Sequence, residues 1–157
     1  MPIAVYLTMT INEILQAYAS HNQCISISNQ LKDLPHAKIQ LKGIVGSSAA
    51  FIATAVMNAV PKNHLFILGD KEEAAYFLND LENLNADKNC LFFPLSYKKP
   101  YEPEAVENAN ILLRAEVLNK INKSTKQCVI VRYPEALAEK VVTKKHLTKN
   151  TMELKEG

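Results

Sequence analysis

The chain has 157 residues, 48% of them hydrophobic, and a formal net charge of +2 at pH 7. Length and composition fit one globular domain with room for a proper core. No apolar run reaches the roughly 18 residues of a membrane-spanning helix, so no span is expected and the default address is cytoplasmic.

The opening stretch, MPIAVYLTMTINE, lacks the basic start of a signal peptide and meets a carboxylate early, at Glu13. Thr10-Ile-Asn-Glu13 is a capping-box signature, and Ile11, Ile14, Leu15, Tyr18 and Ala19 follow helical spacing, which predicts a helix over 11–19. Residues 25–35 read as a short irregular or helical connector ending at Pro35. Ile39 and Leu41 predict a strand, Gly43 and Gly46 a turn, and the apolar run 47–60 a helix buried on nearly all sides. His64-Leu-Phe-Ile-Leu-Gly69 has the continuous apolar character of a parallel strand. Asp70 and Glu73 then cap a helix with Ala74, Ala75, Phe77, Leu78 and Leu81 inward. Cys90 to Phe93 predicts the third strand, and a loop rich in Tyr and Pro follows, from Pro94 to Pro103. A helix over 106–122 is expected to turn Ile111, Ala115, Leu118 and Ile121 to the core. Gln127 to Val131 is the fourth strand, Pro134 opens a helix running through Leu137 and Val141, and 151–155 alternates like a half-exposed strand. Four alternations of strand and helix predict an α/β fold, a three-layer parallel sheet with helices on both faces.

The stretch from Gly43 to Ala50 holds the main functional candidate. Glycines between a strand and a helix N-terminus present backbone N–H groups to an anion, and the helix dipole favours negative charge there. The phosphate-loop consensus GxxxxGK[ST] falls on Gly43-Ile-Val-Gly46-Ser47-Ser48-Ala49-Ala50. Ser48 stands at the last glycine, Ala49 at the lysine and Ala50 at the metal-holding hydroxyl. The frame is present and its chemistry is missing. Gly43, Gly46 and Ala49 also form a poor version of the dinucleotide fingerprint, with Asp70 near the place of a ribose-binding carboxylate. A dinucleotide-binding enzyme domain is therefore the alternative, although Asp70 with Glu73 also reads as a helix cap. Ser47 and Ser48 lie outside any GxSxG elbow and read as helix-start residues.

Other features give smaller signals. Cys24, Cys90 and Cys128 have no CxxC spacing and read as buried free thiols. His21, His36, His64 and His146 make no metal-ligand pairing, so neither metal nor cofactor is expected. Residues 120–157 carry nine Lys/Arg against four Glu, a net +5, leaving −3 on the rest. That basic stretch, with Lys140, Lys144, Lys145 and Lys149, suits an acidic partner or nucleic acid, or a solvated helical face interrupted by glutamates. Tyr97 and Tyr101 could stack on bases or pack over the carboxyl edge of the sheet.

The degenerate loop, its spacing to HLFILGDKEEAAYFLNDL, and FFPLSYKKPYEPEA together resemble the N-terminal part of the excision-repair helicase subunit excinuclease B. Pro103, Glu104 and Ala105 match the Pro-Glu-Ala at which an aromatic-rich strand exit ends in that family. Its long aromatic hairpin has no room here, because eight residues separate Ala105 from Arg114. Loss of both the hairpin and the lysine is similar to the N-terminal module of the transcription-repair coupling factors, as are ILLRAEVLNKI and HLTKNTMELKEG. The resemblance spans roughly residues 30–157 and rests on the order and spacing of these segments rather than on one diagnostic motif. It implies a helical segment over 1–36, a degenerate, RecA-like helicase domain over 37–150, and the start of a following domain at 151–157. It further implies a non-catalytic role in repair recruitment and autoinhibition. Excinuclease A would be met mainly through the following domain, RNA polymerase and DNA through more distant ones, and the whole parent would be an ATP-driven DNA translocase. Tyr97, Tyr101, Lys144 and Lys145 are the candidate partner surface.

Overall fold

A computed structural model describes residues 9–85, 90–97, 108–123 and 126–141. The chain divides into two compact units, Met1–Lys62 with Asn79–Lys88, and Asn63–Leu78 with Asn89–Gly157. The expected strand over 151–155 lies outside the described residues, as do Tyr101, Lys144 and Lys145.

The first unit is helical. Helix α1, Ile11–Ser20, starts on the predicted capping box: Glu13 N–H donates to Thr10 Oγ1 at 3.3 Å and Thr10 N–H to Glu13 Oε2 at 2.7 Å. Its inward face is narrower than the spacing predicts, with Ile14, Leu15 and Tyr18 half-buried but Ile11 and Ala19 exposed. Tyr18 stacks on Phe51, ring centroids 5.2 Å apart. Helix α2, Asn22–Asp33, is a full helix where the sequence suggested a short irregular or helical connector, and it buries Cys24 and Ser28. The Ser28 hydroxyl, unfavourable in a dry helix interior on its own, donates to the Cys24 carbonyl at 2.8 Å.

The expected strand at Ile39 and Leu41 does not form; residues 37–42 pair with no other strand. Two apolar residues alternating with Lys38, Gln40 and Lys42 bury too little to hold a strand without a ladder partner. Helix α3, Ser48–Ala59, matches its all-round apolar sequence: Ala50 and residues 54–57 are buried and only Asn58 is exposed. Its buried hydroxyl is matched, Asn85 Nδ2 donating to Thr54 Oγ1 at 2.8 Å and to the Leu81 carbonyl at 3.1 Å.

The second unit is built on a parallel sheet of three strands, not four: β1 (His64–Ile67), β2 (Cys90–Phe92) and β3 (Val129–Arg132), in the order β1-β3-β2. Helix α4, Lys71–Leu84, follows β1, helix α5, Asn108–Lys123, follows β2, and helix α6, Pro134–Ala138, follows β3. The register aligns Leu65, Ile130 and Leu91, which puts these with Phe93 on one face. There Val117 of α5 packs with Leu91, Phe93 and Cys128. On the other face Phe66 meets Phe77 of α4 at 5.1 Å. The protein is thus mixed α/β around a small parallel sheet.

Three expected details are corrected. Helix α6 ends at Ala138 instead of reaching Val141. Ala75 is exposed, while Ala74 and Leu81 are fully buried. In α5 the buried side chains are Arg114 and Val117, and Ile111 and Ile121 are 44% and 46% exposed. The helix is rotated so that a guanidinium, not an isoleucine, is buried at the end of the sheet.

Candidate functional site

The glycine turn ahead of α3 needs its glycines for backbone conformation. Gly43 has φ +77° and Gly46 φ +53°, the left-handed region where a Cβ is strained. Neither is required by crowding, since an added Cβ would meet nothing within 4 Å. The turn is closed by its own side chain. Ser48 Oγ donates to the Val45 carbonyl at 2.6 Å and accepts the Val45 N–H at 3.1 Å. Ser48 N–H points to the Val45 carbonyl at 3.3 Å and Ala50 N–H to the Ser47 carbonyl at 3.0 Å. Three of the N–H groups that a phosphate cradle would direct outward, those of Val45, Ser48 and Ala50, are therefore committed within the turn.

The remaining positions of the degenerate consensus follow. Ser47 is the N-cap of α3, in helical conformation and with no side-chain capping bond. Ala49 is half-buried, and Ala50, at the metal-holding position, has no exposed surface. Beside the turn lies a cleft of about 640 Å³ lined by Tyr18, Cys24, Ile27, Gln30, Lys42 and Ser48, among others. Its lining mixes amides, hydroxyls and aliphatic groups, and Lys42 is the one cation among the described residues that line it.

Asp70, the acidic residue of the dinucleotide alternative, is occupied as a helix cap. Its Oδ1 accepts the Glu73 N–H at 2.8 Å, and Glu73 reaches back to the Gly69 N–H at 3.0 Å. The reciprocal pair is a capping box displaced by one residue. Tyr97 is half-buried at the end of the described loop after β2. Gly43 to Ala50 lie together in the first unit, while Asp70 and Tyr97 belong to the second.

Sequence reasoning missed a buried polar cluster at the carboxyl ends of β2 and β3, the sheet edge where α/β proteins gather their ligands. Arg114 Nη1 lies 3.0 Å from Glu139 Oε2 and donates to the Pro94 carbonyl at 2.8 Å. Glu139 also accepts Ser96 N–H at 2.9 Å and the Ser96 hydroxyl. Tyr133 Oη accepts the Leu95 N–H at 2.9 Å, and Asn110 Nδ2 donates to the Leu95 carbonyl at 2.8 Å. The Arg114 and Arg132 guanidiniums lie 4.3 Å and 4.6 Å from the centroid of the Phe93 ring. Burial pulls both guanidiniums below their ordinary pKa; the Glu139 charge opposes this, and Arg114 adds repulsion at Arg132. Burial likewise raises the Tyr133 phenol, against the N–H of Leu95 that favours its anion.

Every polar atom of the Glu139 carboxylate is used inside the cluster, so it fixes the loop after β2 rather than offering a free acid or base. A signal for it existed: Arg114 falls three residues after Ile111 and four before Leu118, a charge on an otherwise apolar stripe. Among the described residues no group of three His, Cys, Asp or Glu is placed to hold a metal ion, and no helix is long and apolar enough to cross a membrane. All three cysteines are free, Cys24 and Cys128 buried and Cys90 half-buried. Compared with known proteins, the chain matches no family model, no curated protein and no solved structure.

Proposed function

We propose that this chain is a non-catalytic relic of a RecA-like helicase domain, the N-terminal module of a transcription-repair coupling factor, acting through protein contacts rather than turnover. The observation that carries the reading is the Val45–Ser48 turn. It keeps left-handed glycines, as a phosphate loop does, yet the N–H groups of Val45, Ser48 and Ala50 are turned onto its own chain and the lysine and hydroxyl positions are alanines. The parallel sheet with helices packed on each face suits the same ancestry. In this reading the module contributes to autoinhibition and to recruitment of excision repair, with excinuclease A met mainly through the domain that follows.

Hydrogen bonds to charged groups contribute roughly 1.5–3 kcal/mol each, so loss of the lysine alone weakens phosphate binding ten-fold or more. Calorimetric titration with ATP and Mg²⁺ at millimolar concentration is expected to give no saturable heat; a saturable one would overturn the catalytic silence. Pull-downs with excinuclease A should favour a chain extended past Gly157 over this one. Equal capture by both would overturn the assignment of recruitment to the following domain.

A further inference from the structure

Among the described residues, strand β1 is an edge of the sheet, and half of its backbone has no ladder partner. His64 N–H donates to the Cys128 carbonyl at 2.9 Å and Leu68 N–H to the Arg132 carbonyl at 3.0 Å. Those bonds fix the parity: the even-numbered residues of β1 turn their backbone groups towards β3, and the N–H and C=O of Leu65 and Ile67 point away from it. The side chains of the same two residues are 52% and 51% exposed, on the sheet face that α5 covers further along, at Leu91 and Phe93. Edges of this kind are ordinarily guarded by a lysine, a proline or an inward charge. Residues 63–69, NHLFILG, contain none of these.

We propose that β1 pairs with β1 of a second copy of this chain, antiparallel across a two-fold axis, to make a continuous six-stranded sheet. The register follows from the two open residues. Setting Phe66 opposite Phe66 places Leu65 of each copy opposite Ile67 of the other and keeps matching faces on the same side. Leu65 and Ile67 are then a hydrogen-bonded antiparallel pair, each exchanging N–H and C=O. All the outward polar groups of both strands are satisfied, and the four exposed aliphatic side chains form one strip. Two-fold symmetry makes such a surface self-complementary, which an arbitrary partner strand would not be. A pairing of so few residues buries far less than the roughly 1,200 Å² of a stable interface, so the dimer is weak and concentration-dependent.

Sedimentation velocity over a concentration series from micromolar towards millimolar should show reversible monomer–dimer exchange. Hydrogen exchange at the two ends of that series adds a site-specific readout: the Leu65 and Ile67 amides become protected at the high end, while those of His64 and Phe66, already bonded to β3, do not change. Leu65→Lys should abolish dimerisation through the side chains. Ile67→Pro should do so through the backbone, removing only an outward N–H, which an edge strand tolerates. Thermal melts of both variants check that each remains folded. A monomer throughout the series would overturn the proposal. So would a dimer that persists in a folded Leu65→Lys or one that leaves the Leu65 and Ile67 amides unprotected.

Discussion

Arg114 is held in a buried pair, its side chain 7% exposed and that of Glu139 13%. Removing one partner strands the other charge where little water reaches it, which costs up to about 3–5 kcal/mol. Arg114→Ala is therefore expected to lower stability by that amount in urea denaturation, with Arg114→Ala/Glu139→Gln recovering part of it because the stranded charge is gone. Glu13 behaves oppositely, at the surface. The Thr10 backbone N–H, and then the Thr10 hydroxyl, hold its carboxyl below the ordinary 4.5. A depressed acid stabilises the folded state above its unfolded pKa and loses that contribution as pH falls through the lower folded value. Protection of the first-turn amides of α1, relative to their intrinsic exchange rates, should accordingly fall as pH drops below 4.5, and Glu13→Gln should flatten the dependence. The capping residues were legible in sequence because the contact spans three positions of one segment. The role of Arg114 was not, because its partners Pro94, Ser96 and Glu139 come from two other segments.

Between elements, the tie of Thr54 to Asn85 joins α3 to the end of α4 through atoms buried on both sides. Thr54→Val keeps the shape and deletes the acceptor, leaving Asn85 Nδ2 with the Leu81 carbonyl alone. The expected loss is about 1–3 kcal/mol, read as a lower midpoint in thermal or urea unfolding. An unchanged midpoint would mean that Asn85 finds another acceptor. Helix α3 was legible because its apolar residues leave almost no polar side, and β1 and β2 because short uninterrupted apolar runs suit parallel strands, although one face of β1 stays open at Leu65 and Ile67. The strand at Ile39 was misread since pairing is not a local property. The same two residues would serve in a sheet or outside it, and no neighbouring ladder accepts them here. The face of α5 was misread because hydrophobicity alone ranks Ile111 above Arg114, whereas Arg114 is buried by a partner the sequence does not reveal.

At the scale of the whole molecule, the sequence indicated an α/β protein with parallel strands but not its division into two compact units, which depends on contacts far apart in the chain. The closed turn before α3 has a thermodynamic meaning at this scale. A loop built to receive an anion is stabilised by that anion, and the melting temperature of the whole protein then climbs with ligand concentration. Here the Ser48 hydroxyl supplies Val45 with both a donor and an acceptor, so the turn acts as its own ligand. Adding phosphate or pyrophosphate should leave the melting temperature of the unmodified chain where a matched salt leaves it. Ser48→Ala frees the Val45 N–H, while the Val45 carbonyl keeps the Ser48 backbone N–H; the melting temperature should fall and then recover partly as phosphate is added. The groups that close this turn belong to the covalent chain, so no change in metabolite level can withdraw them.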